Sequence, residues 1–350
     1  MPRSQVPSGS FRSLTASRTG IRTASGAPLW DTPVVEPDVI VACCRASGGT
    51  SPGELYPDPD SELLVAALGE IGITARMASW DDDTVAWDQT GLVVVRSTWD
   101  SVDRPGDYLR WTRAVDRVST LVNPAEVLAW NLDKSYLGDL ARMGVPVVPT
   151  QFVRTGSSWT VPEDEFVVKP AISAGGRETA RYGPAHRPAA RAHVRRLLTE
   201  GHTVMVQPYL PAVEDPGEIS LVFIAGSFSH AVRKGPVLEA GAGVAERPWE
   251  RMVFLGLTGP SPAELAAAER IQSALDRRFG TLAYSRIDLI ASVSGEPLVM
   301  EVELIDPYLS LSLESAAVAR LAQVLVERRD PRFHRRRSAG EGGDAVGSDG

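Results

Sequence analysis

Apolar and polar positions fall into blocks along this chain, and the period of the pattern changes from block to block. Val39-Ile40-Val41-Ala42 is an unbroken apolar run of strand length, followed by a polar Gly/Pro loop up to Pro59. Residues 61–71 place apolar side chains at helical spacing, 73–77 and 92–95 read as further strands, and 108–118 predicts a second helix. This βαβ order predicts a small open sheet flanked by helices, ending near Asn123.

From Asn131 the pattern is different. Residues 133–143 predict an amphipathic helix that Gly144 stops, and 145–150, with two prolines, continue as an extended edge. Phe166-Val167-Val168-Lys169 is a strand running into Pro170 and the loop Ser173-Ala174-Gly175-Gly176. A helix over 186–199 precedes a strand over 203–207. Strands then follow at 219–224 and 229–233, a helix at 262–279, strands at 283–290 and 297–304, and a last helix at 313–326. No internal repeat is visible.

At 350 residues the chain exceeds what one hydrophobic core usually serves, so two or three domains are expected. Its 43% hydrophobic and 23% charged residues are ordinary globular proportions, which excludes a wholly disordered or collagen-like chain. No stretch approaches the roughly 18 uninterrupted apolar residues of a membrane span. A net charge of -8 gives no basic surface for nucleic acid. The two cysteines, Cys43 and Cys44, are adjacent at the end of a strand; they exclude a disulfide framework, suit a reducing, cytoplasmic setting, and are most simply core.

Residues 1–36 carry Arg3, Arg12, Arg18 and Arg22 among Ser, Thr, Gly and Pro, with no apolar segment of a secretory signal. The composition suits a disordered extension or a misassigned start, and weakly resembles a transit peptide. Residues 329–350 are charged and Gly-rich without a core face, and read as a second solvated tail.

Among 36 basic residues only Lys134, Lys169 and Lys234 are lysines, so the surroundings of these three matter. No P-loop, nucleophile elbow or metal-type histidine spacing is present, and Gly241-Ala242-Gly243 lacks the third glycine of a dinucleotide fingerprint. Lys169 closes a strand directly before a Ser/Gly loop, whose backbone N–H groups can be laid against phosphate oxygens. Lys134, one helix earlier, offers a second phosphate-neutralising charge. Glu301 and Glu303, at i and i+2 on a strand, point to one face, and an adjacent antiparallel strand would bring Asp288 beside them. Each element alone is common as plain structure. Together, three hard oxygen donors over an apolar layer would repel one another without a cation, and they suit Mg²⁺ bridging nucleotide phosphates.

In the order and wording of these motifs, residues 37–328 resemble the ATP-grasp superfamily. Asn131-Leu132-Asp133-Lys134 is similar to the entry into its central subdomain, and Phe166-Val167-Val168-Lys169-Pro170 with Ser173, Gly175 and Gly176 to its second lysine and mobile glycine loop. Val206-Gln207-Pro208-Tyr209-Leu210-Pro211 followed by Asp215 resembles the adenine hinge and ribose contact. Arg286-Ile287-Asp288 and Glu301-Val302-Glu303 resemble the catalytic arginine and magnesium ligands, with Glu303 standing where most members have Asn. Arg96-Ser97-Thr98-Trp99-Asp100, Glu218-Ile219-Ser220 and Ser229-His230-Ala231-Val232 are similar to the branch that includes the cyclo-ligase of D-cycloserine biosynthesis.

The resemblance implies an α/β (α+β) ATP-grasp fold: an N-terminal βαβ-type domain over 37–122, then subdomains over 123–210 and 211–328 clasping ATP. It implies an ATP- and Mg²⁺-dependent, ADP-forming carbon–nitrogen ligase that activates a small-molecule carboxylate as an acyl phosphate. Lys134, Lys169, Ser173, Gly175, Gly176, Gln207, Tyr209, Leu210 and Asp215 are then expected at ATP, and Asp288, Glu301 and Glu303 at Mg²⁺. Arg286 and Lys169 are expected in catalysis, and Arg96, Arg233, Lys234 and Arg286 at the substrate. Arg96 follows Val-Val-Val at the carboxyl end of a strand, where open α/β sheets bind ligands, but also reads as a surface arginine. Trp99 is expected to pack the domain junction or stack on substrate, and Tyr308 to line the pocket. Joining two molecules, closing a ring within one, and silent nucleotide binding all stay open. So does a homo-oligomeric state; neither nucleic acid nor membrane is expected as a partner.

Overall fold

The structure, a computed structural model, describes residues 37–46, 54–245 and 248–329; the tail expected over 1–36 and all but the first residue of the one over 329–350 lie outside them. The first sheet is parallel, with strands β1 (Val39–Cys43), β2 (Ala75–Ser79), β3 (Leu92–Ser97) and β4 (Leu121–Val122) in the order β2-β1-β3-β4. Every residue of β1 and β3 is buried, which is why both read as unbroken apolar runs rather than alternating ones. Helices α1 (Pro59–Glu70) and α2 (Pro105–Val118) connect them. Asp58 caps α1 by accepting from the Asp60 amide, and Pro59 fits the first turn, where no N–H is needed.

Two short helices, α3 (Ala125–Asn131) and α4 (Tyr136–Arg142), lead into an antiparallel sheet. Its strands are β5 (Gln151–Val153), β6 (Phe166–Pro170), β7 (Ala180–Tyr182) and β8 (Val204–Pro208), ordered β5-β8-β6-β7, with α5 (Arg187–Thr199) between β7 and β8 in sequence. Phe166, Val168, Val204 and Val206 pack against Ala190, Val194 and Leu197 of α5.

A five-stranded sheet completes the fold: β9 (Glu218–Ile224), β10 (Ser227–Lys234), β11 (Phe254–Leu257), β12 (Tyr284–Ala291) and β13 (Pro297–Glu303), ordered β11-β10-β9-β12-β13 and antiparallel throughout. Residues of alternating parity serve its two faces. Leu221, Phe223, Ile287 and Leu289 meet Ala268, Ile271 and Leu275 of α6 (Pro262–Phe279). Val222, Ile224 and Tyr284 share a core with Val39 and Val41 of the first sheet and Leu321 and Leu325 of α7 (Ser315–Arg328). Burying each such side chain contributes about 1.5–3 kcal/mol. Ser261 and Glu264 close a reciprocal capping box on α6.

The expected helix over 133–143 begins only at Tyr136. The Asp133 carboxylate accepts from the Ser135 amide at 2.8 Å, a local turn that competes with helix and leaves Lys134 in a loop. Over 145–150 regular pairing is limited to one parallel bridge, Val147 to Val299. Helix α3 and the strands β4, β5, β7 and β11 were not expected; they are short and lack a sustained period.

Candidate active site

Strands β12 and β13 pair so that Asp288 faces Glu301 and Arg286 faces Glu303, the antiparallel arrangement expected for these acids. A register shift follows between Asp288 and Leu289. Strand β13 is an edge strand, and beyond the bridge at Val299 its outer backbone is satisfied by buried side chains. Asn131 donates to the Val302 carbonyl at 2.7 Å and accepts from the Leu304 amide at 2.8 Å. The Tyr136 hydroxyl bonds both backbone groups of Val302. Asn123 donates to the carbonyls of Tyr284 and Leu304. These three polar side chains fix where Glu301 and Glu303 project. Only Asn131 stood in a recognised motif; Asn123 and Tyr136 give no sequence signal, because their partners lie more than 150 positions away.

The acids meet cations of the protein itself. Arg286 holds both oxygens of Asp288, at 2.9 and 2.8 Å, bonds Glu303, and donates to the Tyr308 carbonyl at 3.1 Å. Lys234 bridges Asp288, at 2.9 Å, and Glu218. Lys134 lies 3.1 Å from Glu301 and donates to the Ser173 carbonyl. Lys169 makes no ion pair among the described residues, and burial pushes its pKa down, with Glu301 opposing and the Lys134 ammonium adding to the shift. Four cations thus stand against four carboxylates: Lys134, Lys169, Lys234 and Arg286 against Glu218, Asp288, Glu301 and Glu303.

Internal neutralisation corrects one expectation. Self-repulsion among the acids does not by itself demand a metal, and among the described residues no three acidic, His or Cys side chains converge to hold one. Hard carboxylate oxygens still suit Mg²⁺. Burial opposes charge throughout. It lifts Glu303 to about 7 against the pull of Arg286, and raises Glu218 against Lys234. At Asp288 burial is outweighed by Arg286 and Lys234, so its pKa is lowered; at Lys234 burial is outweighed by Asp288 and Glu218, so its pKa is raised.

The glycine loop lies over this cluster's Lys134 side. Gly175 and Gly176 take φ of +59° and +72°, conformations open to glycine, and a Cβ on Gly175 would sit 3.3 Å from Trp249 Cβ. Arg177, next in the chain, stacks on Trp249 and bonds Asp103 and the Trp99 carbonyl, tying the loop to the segment after β3. Along β8, buried Gln207 bonds Thr150. The Tyr209 amide donates to the Glu165 carbonyl, its ring stacks with Arg181, and its hydroxyl bonds Glu214. Leu210 is buried with Val148 and Ile290, and Asp215 is exposed in a turn before Pro216.

Two expected substrate contacts face elsewhere. Arg233 points away from Lys234 and bonds Glu264 and the Gly217 carbonyl. Arg96 is 1% exposed, donating to the Pro307 carbonyl at 2.8 Å and lying 3.6 Å from Asp60. Trp99 donates to the Asp306 carbonyl and packs edge-on to Tyr56, as a junction residue would; Tyr308 lies against Phe254.

Arg96, Trp99 and Arg286 belong to a larger pattern. Five successive carbonyls, from Ile305 to Leu309, are each taken by a different side chain: Tyr284, Trp99, Arg96, Arg286 and His230. Asp60 accepts from the amides of Leu309 and Leu311. An irregular loop is thereby held as firmly as a strand.

Residues 39–123 match the family model described as the N-terminal domain of D-cycloserine synthetase DcsG. The cycloserine biosynthesis protein DcsG of Streptomyces lavendulae is 36% identical over 287 residues, 78% of this chain and 95% of the relative. The crystal structure of D-cycloserine synthetase DcsG superposes with a TM-score of 0.73 at 32% identity, covering 83% of this chain and 99% of that one. D-alanine–D-alanine ligase from Bacillus anthracis, complexed with ATP, shares the fold at a TM-score of 0.54 and 13% identity, covering 87% of this chain and 100% of that one. Among the described residues no helix is long and apolar enough to cross a membrane. The chain belongs to the ATP-grasp carbon–nitrogen ligases, in the family of D-cycloserine synthetase.

Proposed function

We propose that this ATP-dependent ligase activates the carboxylate of a small molecule as an acyl phosphate, releases ADP, and closes an amide bond on a nitrogen of the same molecule. The observation that carries the reading is the charge arrangement: of four clustered cations, Lys169 alone lacks a carboxylate partner, and it lies at the foot of the glycine loop. A triphosphate reaching Lys169 and Lys134 brings negative charge to a neutral cluster. Mg²⁺ entering with it would be held by Glu301 and Glu303, with Asp288 behind them, and would supply charge neutralisation at the phosphates.

The protein's own part is positioning and electrostatics. Lys134 and Lys169 hold the phosphates, while Ser173, Gly175 and Gly176 cover them. The segment from Gln207 through Tyr209 to Leu210 borders the adenine, and Asp215 holds the ribose. Arg286 neutralises the phosphoryl group as a substrate carboxylate oxygen bonds to the γ-phosphorus and the bond to ADP breaks. The nitrogen lone pair then attacks the acyl carbon, the bond to phosphate breaks, and the nitrogen's proton leaves to solvent. Arg286 and Lys234 steady the intermediate's oxyanion. Arg96 and Arg233 act on the substrate only indirectly, from behind the pocket wall. Ring closure is favoured over joining two molecules by the likeness to a D-cycloserine synthetase, extending over 95% of the relative's length.

The test is ATP turnover with Mg²⁺ and a panel of amino acids and their ureido and aminooxy derivatives, offered singly and in pairs. ADP with one compound that has lost water supports ring closure, and ADP only from pairs replaces it with intermolecular ligation. AMP overturns the acyl phosphate. Absence of turnover, with nucleotide still bound, marks a silent module. Glu301→Gln should abolish turnover; unchanged activity removes Glu301 from the metal site.

A further inference from the structure

The glycine loop between β6 and β7 is pinned at two points. At its start the Ser173 carbonyl accepts from Lys134, and the Ser173 hydroxyl donates to the Pro170 carbonyl at 3.2 Å. At its end Arg177 reaches out of the loop. One guanidinium nitrogen donates to the Asp103 carboxylate at 3.0 Å and to the Trp99 carbonyl at 3.3 Å, and the guanidinium carbon lies 5.1 Å from the centre of the Trp249 ring. Trp99 and Asp103 follow β3, and Trp249 lies between β10 and β11, so one side chain joins three parts of the chain. The Arg177 amide also returns to the Ala174 carbonyl at 3.1 Å, and the Thr179 amide to the Gly176 carbonyl at 3.2 Å. Movement of Arg177 therefore carries both glycines with it.

The two pins differ in what a nucleotide does to them. Lys134 already faces Glu301, and an arriving triphosphate competes with Ser173 for its ammonium. Arg177 gives its side chain to an acid, a carbonyl and a ring outside the proposed phosphate site, so the triphosphate does not compete for it. Glu178, the other charged residue over 171–179, bonds Arg196 of α5 instead. The segment that receives Arg177 is itself tied towards Arg286. The Trp99 indole donates to the Asp306 carbonyl at 3.1 Å, and two residues on the Tyr308 carbonyl accepts from Arg286 at 3.1 Å.

We propose that Arg177 is the positioning residue that latches the glycine loop over the nucleotide, with Asp103 as its catch. The assignment rests on the ligase reading above and deepens it: the phosphates are retained, and water kept from them, while the loop is held against the segment after β3. Arg177 acts through Gly175 and Gly176 and not on the reacting atoms. The Arg177 and Asp103 side chains are 30% and 62% exposed, so the pair is a modest, salt-sensitive contact, as suits a latch that opens at each turnover.

ADP titrated into the full chain with Mg²⁺, read by calorimetry, tests the latch. Asp103→Asn should weaken ADP about fivefold at low salt, and the gap from the wild type should close as salt approaches about 1 M. Arg177→Asp should weaken ADP at least as much. Combining Arg177→Asp with Asp103→Arg should recover most of the lost affinity, while melting temperatures stay near that of the wild type. A merely structural role would lower the melting temperature and would not respond to the exchange of charges. An unchanged Kd in both single variants overturns the latch and leaves the nucleotide site standing. Weakened binding that the exchange does not recover removes Asp103 as the catch. Failure of the wild type to bind ADP overturns the ligase reading, and the latch with it.

Discussion

Arg286 and Asp288 lie two positions apart on one strand and face each other through two parallel bonds, Nε to Oδ1 at 2.9 Å and Nη2 to Oδ2 at 2.8 Å. The same guanidinium reaches Glu303 and the Tyr308 carbonyl. An ammonium cannot reproduce this planar fork. Arg286→Lys should therefore cut ADP release by about a hundredfold or more, comparable to the loss of a charge-stabilising donor. Steady-state kinetics check this, and a loss below threefold removes Arg286 from the chemistry.

The outer edge of β13 depends on Asn131. Its replacement by Ala leaves the Val302 carbonyl without one of its partners and the Leu304 amide without its acceptor, both in a buried layer. The expected cost is about 2–4 kcal/mol, read as a lower midpoint in urea unfolding. An unchanged midpoint would mean that water satisfies these groups as well as the amide does.

Gly175→Ala places a methyl group 3.3 Å from Trp249 Cβ at a backbone φ of +59°, where a Cβ costs about 1–2 kcal/mol. The strain falls on the covering loop and not on the core. ADP release should fall several-fold while the melting temperature changes little, and Trp249→Ala in the same chain should restore part of the rate. A rate equal to wild type would show that the loop adapts freely.

His193 is buried beside Tyr182, whose hydroxyl lies 3.1 Å from its Nδ1. Burial lowers its pKa from 6.5 to about 4; Arg196 pushes the same way and Glu178 and Glu200 oppose. The folded state therefore binds fewer protons than the unfolded chain once the pH drops below 6.5. The neutral imidazole's contribution is intact above that pH and is lost progressively between 6.5 and about 4, amounting to roughly 3 kcal/mol. His193→Gln should flatten this part of the curve of stability against pH. Parallel curves for the two proteins would refute the assignment.

The elements whose period is sustained are legible in the sequence. The 262–279 helix carries its own caps, and β1, β3 and β6 are apolar runs with clear stops. The pairing of Asp288 with Glu301 was legible too, because alternation on two neighbouring strands leaves few registers. The cations that neutralise the acids were harder to see. Lys234 joins Asp288 from a strand two places away in the sheet, and nothing in spacing reveals that. Arg233 misleads for a simple reason: neighbours on a strand face opposite ways, so it cannot share a cleft with Lys234. The 305–311 loop is invisible in the sequence because it has no period at all.

That loop sets the order in which the molecule can become an enzyme. Its bonds to Asp60 and Arg96 span 249 and 211 positions, so they close long circuits of the chain. A chain that stops short of this loop leaves the Asp60 carboxylate without the Leu309 and Leu311 amides, and Arg286 without the Tyr308 carbonyl. The contacts that fix Arg286 therefore come together only when nearly all of the chain has been made.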